Sequence, residues 1–297
     1  MNNNILKNAK RVAILLIMAG SFSSCEREEI SPDKFRLVKT LYYNKSTSAT
    51  PTDGIEYSYD MSGNMVKESY VKYNPTSLYM YREYEYSGKK KIKMKFYSEE
   101  NGKFIMGKYI DFFYDSNDQL IREDICNSSG IFLSSMNYEY SGKNMIREYF
   151  FEPDYGISEE VKYTFDSKNR LIKEEFATVN VKDVKYIKHI YDNNDRKIKI
   201  EYSNLNGDLI RSVEIIYNGR SKLPVQDLHY DSNGNQTAQY QHNYDRKGNL
   251  IETRFVDGCS LFKRKYDGGL LIEEILYSGK EKNCTEDEMK RYEYEKI

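Results

Sequence analysis

The chain has no tryptophan, and only five prolines, four cysteines and three histidines among 297 residues. Tryptophan is the ring most used where a rigid aromatic platform grips a partner, so its absence argues against such a surface. His189, His229 and His242 are scattered and no Cys-x-x-Cys pair is present, which argues against a metal centre. Lysine and arginine total 45 against 46 aspartates and glutamates, a net charge of −1. Nucleic-acid binding needs a basic stripe that releases counterions from phosphate, and this balance supplies none. No Gly-x-Ser-x-Gly, His-Glu-x-x-His or phosphate-loop sequence appears, and no nucleophile stands beside a base. The expectation is a protein without catalytic residues, metal or cofactor. The apolar run Val12 to Phe22 is too short to cross a bilayer as a helix.

Tyrosine is what the chain has in excess, at 29 residues. Ten aromatics each close a strand pattern ahead of a polar turn: Tyr59, Tyr86, Tyr114, Tyr140, Phe165, Tyr191, Tyr217, Tyr244, Tyr266 and Tyr294, spaced 22 to 28 residues apart. A repeat of that period builds an array in which each unit packs on its neighbours, so the length need not be buried in one core. It also spreads similar surface everywhere instead of gathering one reactive cluster. Each period holds two strand runs separated by Asp, Asn, Ser and Gly turns, as in Phe112-Phe113-Tyr114, Asp115 to Asp118, then Leu120 to Ile125. Lys91 to Phe96 alternates basic and apolar residues, sorting them onto opposite faces. Tyr57/Tyr59, Tyr84/Tyr86, Tyr138/Tyr140, Tyr163/Phe165 and Tyr292/Tyr294 put two aromatics on one face and predict aromatic ladders. The expected fold is all-β: an antiparallel hairpin meander of about 20 strands curled into a barrel-like or spiral sheet. A single-layer sheet wet on both faces is the fallback.

Residues 1–24 read as an export signal: Lys7, Lys10 and Arg11 precede the apolar run. The run ends in Phe22-Ser23-Ser24-Cys25, which resembles the lipobox of a bacterial lipoprotein precursor. The resemblance implies that Cys25 becomes the lipidated first residue of the mature protein, anchored in the outer membrane by several acyl chains. Residues 25–34 are then a tether and residues 35–297 the repeat domain. Glu26-Arg27-Glu28-Glu29 resembles the surface-export signal of Bacteroidota lipoproteins, with Arg27 where lysine is more usual. Cell-surface and periplasm-facing placements both stand. Cys126, Cys259 and Cys284 remain in the domain. Cys259 and Cys284 lie one repeat apart and are the candidate disulfide; three free thiols is the other reading.

Tyr59-Asp60-Met61-Ser62-Gly63-Asn64-Met65, Tyr230-Asp231-Ser232-Asn233-Gly234-Asn235 and Tyr244-Asp245-Arg246-Lys247-Gly248-Asn249-Leu250 resemble the YD repeats of the RHS family. The chain also resembles small Bacteroidota lipoproteins of unknown function with a porin-like repeat fold. Large RHS proteins build a β-sheet shell around a toxin, and no toxin role is carried over here. Asp231 to Asn235 and Asp192 to Asp195 carry alternate oxygens like the start of a calcium loop but lack its sixth-position glycine, so they read as turn formers. Lys173-Glu174-Glu175 reads as cross-strand ion pairing. The expected function is a membrane-anchored, non-catalytic lipoprotein with a binding or structural role. A glycan-binding module in nutrient uptake and a transmembrane β-barrel are the alternatives, with a glycan or protein as the expected ligand.

Overall fold

Alternating strands and Asx-Gly turns fold as twenty antiparallel strands, β1 to β20 in chain order, in a computed structural model that describes residues 35–44, 48–177, 184–256, 261–280 and 283–296. Each strand is hydrogen-bonded to the next along the chain, and β1 (Phe35–Tyr43) also pairs with β20 (Asn283–Lys296), so the sheet closes into a barrel. Cys25 and Cys259 lie outside the described residues. Cys284 sits opposite Gly279 in the register, with its side chain outside the described set.

All ten anchor aromatics occupy one structural position. Nine hairpins carry a register shift where the anchor aromatic meets the strand after the turn. Tyr59 pairs with Met65 and leaves Val66 over, and Tyr114 pairs with Leu120 and leaves Ile121 over. Such a bulge disrupts the ladder and leaves backbone groups unpaired. The next repeat's tyrosine repairs this. Tyr86 donates its hydroxyl to the Met65 carbonyl at 2.9 Å, Tyr114 to Lys91 at 2.8 Å, Tyr140 to Leu120 at 3.0 Å and Tyr191 to Leu171 at 2.9 Å. Tyr217, Tyr266 and Tyr294 do the same to Lys197, Leu250 and Leu271. Each such bond stabilises by about 0.5–1.5 kcal/mol. Phe165 holds the same register position, opposite Leu171, without a hydroxyl.

The seam follows the same rule. Tyr294 of β20 pairs with Leu37 of β1, Val38 is left over, and Tyr59 donates to the Leu37 carbonyl at 2.6 Å. The first strand is therefore the missing second half of the tenth repeat, and ten bulged anchor pairings run round the ring.

The turns after five of the anchors also share one geometry, while those after Tyr86, Tyr140 and Tyr266 are two-residue turns. In the Asp166 turn, Oδ1 accepts the Lys168 and Arg170 N–H groups at 2.8 and 3.0 Å. Asp60, Asp115, Asp192 and Asp245 repeat this pattern. The fourth residue of each turn has left-handed φ: Gly63 at 77°, Asp118 at 66°, Asn169 at 60° and Asp195 at 61°. Only Gly, Asn and Asp take that conformation readily, which explains the turn composition. The next side chain clamps the following repeat, as Arg196 does by donating to the Gly219 carbonyl at 2.7 Å. Asp231, which belongs to a YD-like motif, makes the same turn between β15 (Pro224–Asp231) and β16 (Gln236–Tyr244), at the opposite rim from Asp60 and Asp245.

Residues paired across the register share a face, so the two faces can be followed round the ring. One carries Lys39–Glu56, Lys67–Glu83, Lys93–Asp111, Arg147–Glu160, Lys173–Glu175 and Arg291–Glu273 ion pairs. The other carries the buried Tyr84, Ile110, Val161, Ile187, Ile200 and Val213, and it is the inner wall. A circular ring of twenty strands spaced about 4.8 Å and tilted about 40° is about 40 Å across.

Candidate functional site

The alternation that puts ion pairs outside puts a belt of carboxylates, tyrosines and histidines inside. Tyr138 donates to Glu123 at 3.0 Å and Tyr163 to Glu148 at 2.7 Å. His189 Nε2 lies 2.8 Å from Glu174 Oε1, and His242 Nε2 lies 3.0 Å from Asp227 Oδ2. All four pairs have the same separation of 15 residues, because each joins the position two before an anchor to a strand of the preceding repeat. Arg82 to Glu68 at 3.2 Å and Arg264 to Glu274 at 2.8 Å continue the belt. Two residues nearer the turns, Ile92, Ile121 and Ile146 share the inner parity and stay exposed at 39, 37 and 36%. They line an apolar mouth that solvent reaches.

Burial sets the electrostatics of the belt. It pushes the Glu123 and Glu148 carboxyls above the usual range, and the facing Glu174 charge pushes Glu148 further. Burial also raises the Tyr138 and Tyr163 hydroxyls, with the carboxylate each one faces adding to the effect. Glu148 Oε2 and His189 Nδ1 are buried without a hydrogen-bond partner. A wall of this kind offers paired donors and acceptors to a polar guest.

Glu148 yields a pH prediction. Its raised value means the fold holds this proton at a pH where the unfolded chain has released it. That contribution favours the fold below the ordinary glutamate range and is lost as pH rises through the raised value. Glu148→Gln keeps an acceptor for Tyr163 and removes the charge. It should raise the melting temperature near neutral pH, with the gain vanishing below about pH 4. Equal shifts at both pH values would contradict the assignment. The turn aspartates act in the opposite sense. Backbone N–H donors four residues on are the main cause holding Asp60, Asp166 and Asp192 below the usual range. Their contribution is complete above that range and is lost as pH falls through the lowered values.

The structure brings together residues that sequence reasoning left apart. All three histidines face the lumen, with His229 edge-on to Tyr240 at 5.1 Å. The signal was present: His189 and His242 stand where other repeats have the first tyrosine of a Tyr-x-Tyr pair. Glu174 departs from the ion-pair reading of Lys173-Glu174-Glu175. Glu175 pairs with Lys173 outside at 3.1 Å, while Glu174 turns inward to His189. Asp192 and Asp231 spend their oxygens on turn N–H groups and on Arg196 and Asn235. Cys126 is a buried free thiol.

No known family and no curated protein matches the sequence. Among solved structures the chain is similar to TcdB2-TccC3-TEV, with TM-score 0.48 and 11% identity over 84% of this chain. It spans 16% of the length of that much longer chain. It is also similar to a porin-like protein from Bacteroides uniformis, with TM-score 0.37 and 10% identity over 87% of this chain and 98% of the other. A porin-like protein from Bacteroides vulgatus gives TM-score 0.28 and 10% identity over 86 and 97%. At TM-scores below 0.5, these likenesses name no function for the barrel.

Proposed function

We propose that the chain is an exported, non-catalytic barrel, tethered to the outer membrane through lipid on Cys25, whose lumen receives a ligand. The charged outer face is the observation that carries this reading. Lys67, Lys93, Arg147, Lys173 and Arg291 project outward from strands, each beside a carboxylate. A cation on a lipid-facing strand costs about 2–4 kcal/mol at mid-bilayer, so these positions together oppose insertion by on the order of 10 kcal/mol or more. Exposed ion pairs of this kind suit water, where they cost little and contribute little. A lipid tether then supplies the membrane attachment that the barrel surface does not.

Cys25→Ala tests the tether. The wild-type chain should sediment with membranes and the variant should move to the soluble fraction, with the melting transition unchanged. Retention of the variant by membranes would sink the anchor. Protease digestion of intact cells separates a surface from a periplasm-facing placement. A glycan as the lumen ligand is favoured by the inward tyrosines, which combine an apolar ring with a hydroxyl.

A further inference from the structure

One sector of the inner wall has lost its neutrality. Arg82 of β4 (Thr76–Ser87), Phe96 of β5 (Lys90–Glu100) and Lys108 of β6 (Lys103–Tyr114) are direct register partners in a single row. The Arg82 guanidinium and the Lys108 ammonium approach the Phe96 ring at 5.3 and 4.9 Å from its centroid. Lys91 comes from the same wall, 4.3 Å from the Tyr84 ring and 5.7 Å from that of Phe112.

Outward lysines such as Lys67, Lys93 and Lys95 each have a carboxylate within ion-pair distance. Among the described residues, Lys91 and Lys108 have none. Where the repeats that follow set Glu123, Glu148 and Glu174 into the belt, this sector has Met94, paired with Tyr84 and Ile110. Burial holds both ammonium groups below the usual lysine range, and the like charge of Arg82 lowers them further. The carboxylates of Glu68 and Glu123 act on Lys91 in the opposite sense. Arg82 Nε is buried with no hydrogen-bond partner, although Nη1 reaches Glu68. Two half-buried ammonium groups with no ion-pair partner are costly, and the orphaned Arg82 donor on the same wall points to a partner from outside the chain.

We infer that Arg82, Lys91 and Lys108 form an anion-binding site on the lumen wall, taking the carboxylate or sulfate group of a small ligand whose body lies on Phe96, Tyr84 and Met94. The inference rests on the lumen being a ligand compartment. Charge selects the head group, since guanidinium and ammonium donors both match an oxyanion and Arg82 can add planar recognition. The flanking rings select for an apolar or saccharide face.

The test is titration of the full chain, labelled with [methyl-13C]methionine, with glucuronate, glucose 6-sulfate, inorganic sulfate and neutral glucose. Glucuronate and glucose 6-sulfate should shift the Met94 methyl saturably, and glucose should not. A matching response to inorganic sulfate would support an oxyanion site that reads the head group alone. Lys91→Met and Lys108→Met should each weaken binding about tenfold or more while leaving the melting temperature unchanged or raised. No saturable shift with any anion overturns the site, as does an unchanged titration in the double variant. A glucose response equal to that of glucuronate overturns the charge selectivity but leaves the ligand compartment standing. Reaction of Ile146→Cys with a water-soluble maleimide reports the open lumen separately. A blocked thiol there would overturn the compartment, and the site with it.

Discussion

Deleting residues 283–297 should abolish cooperative unfolding rather than lower its midpoint. β20 is hydrogen-bonded to β19 (Leu270–Lys280) from Glu273/Arg291 to Lys280/Asn283 and to β1 from Phe35/Lys296 to Tyr43/Met289. In an open spiral of repeats, losing a terminal strand removes one interface, and the remaining units keep their nearest-neighbour stability. In a ring, two interfaces go at once. β1 and β19 become long unpaired edges, which template aggregation. Tyr294 also leaves, and with it the hydroxyl bond to Leu271. Thermal melts followed by circular dichroism, with size-exclusion chromatography, should show no sigmoidal transition and a large aggregated fraction. A cooperative melt shifted by only a few degrees would mean that the seam counts no more than any other hairpin, which contradicts closure.

Met289→Ala should cost about 2–5 kcal/mol, the range for truncating a fully buried large side chain. Met289 is 1% exposed and packs with Leu41 and Tyr43, with Tyr73 and Ile275 against them. This cluster lies where β20 meets β1, on the outer parity, so it locks the seam from outside. Space there is so short that β2 (Asp53–Tyr59) uses Gly54, where a Cβ would sit 2.8 Å from Tyr73 Cε2 and 2.9 Å from the Thr40 carbonyl oxygen. Small cavities at such a site relax poorly, which puts the cost toward the upper part of the range. For a chain of this size the melting temperature should fall by roughly 5–15 °C. Met61→Ala, in a fully exposed turn, is the control and should change nothing. Equal melting temperatures for the two variants would show that the seam cluster is not a core.

The period of the anchor aromatics made most of the fold legible. It predicts hairpins, the shared face of the Tyr-x-Tyr pairs and about 20 strands, and the barrel has twenty. Closure was harder to see, because the pairing of Leu37 with Tyr294 joins the two ends of the chain and strand periodicity carries no long-range register. Its trace is in the sequence all the same. Leu37-Val38-Lys39 copies the run that follows each turn. The hydroxyl bonds across the bulges were also hidden, since alternation predicts which face a tyrosine occupies and not which carbonyl a bulge frees. The belt was masked by composition: Glu174 and Glu175 are the same residue type one position apart, and only parity sends one to His189 and the other to Lys173. The Asp231 turn at the opposite rim shows that a Tyr-Asp-x-x-Gly string specifies a turn geometry and not a place in the repeat.

The character of the outer face decides between a tethered barrel and a membrane channel. The direct measurement is the behaviour of the chain from residue 26 onward, made without its signal and without detergent. A water-facing barrel gives a monodisperse monomer in plain buffer and no conductance in planar bilayers. Aggregation relieved only by detergent, together with stable conductance after reconstitution, would contradict the reading of Lys67, Lys93, Arg147 and Lys173 as solvent-facing.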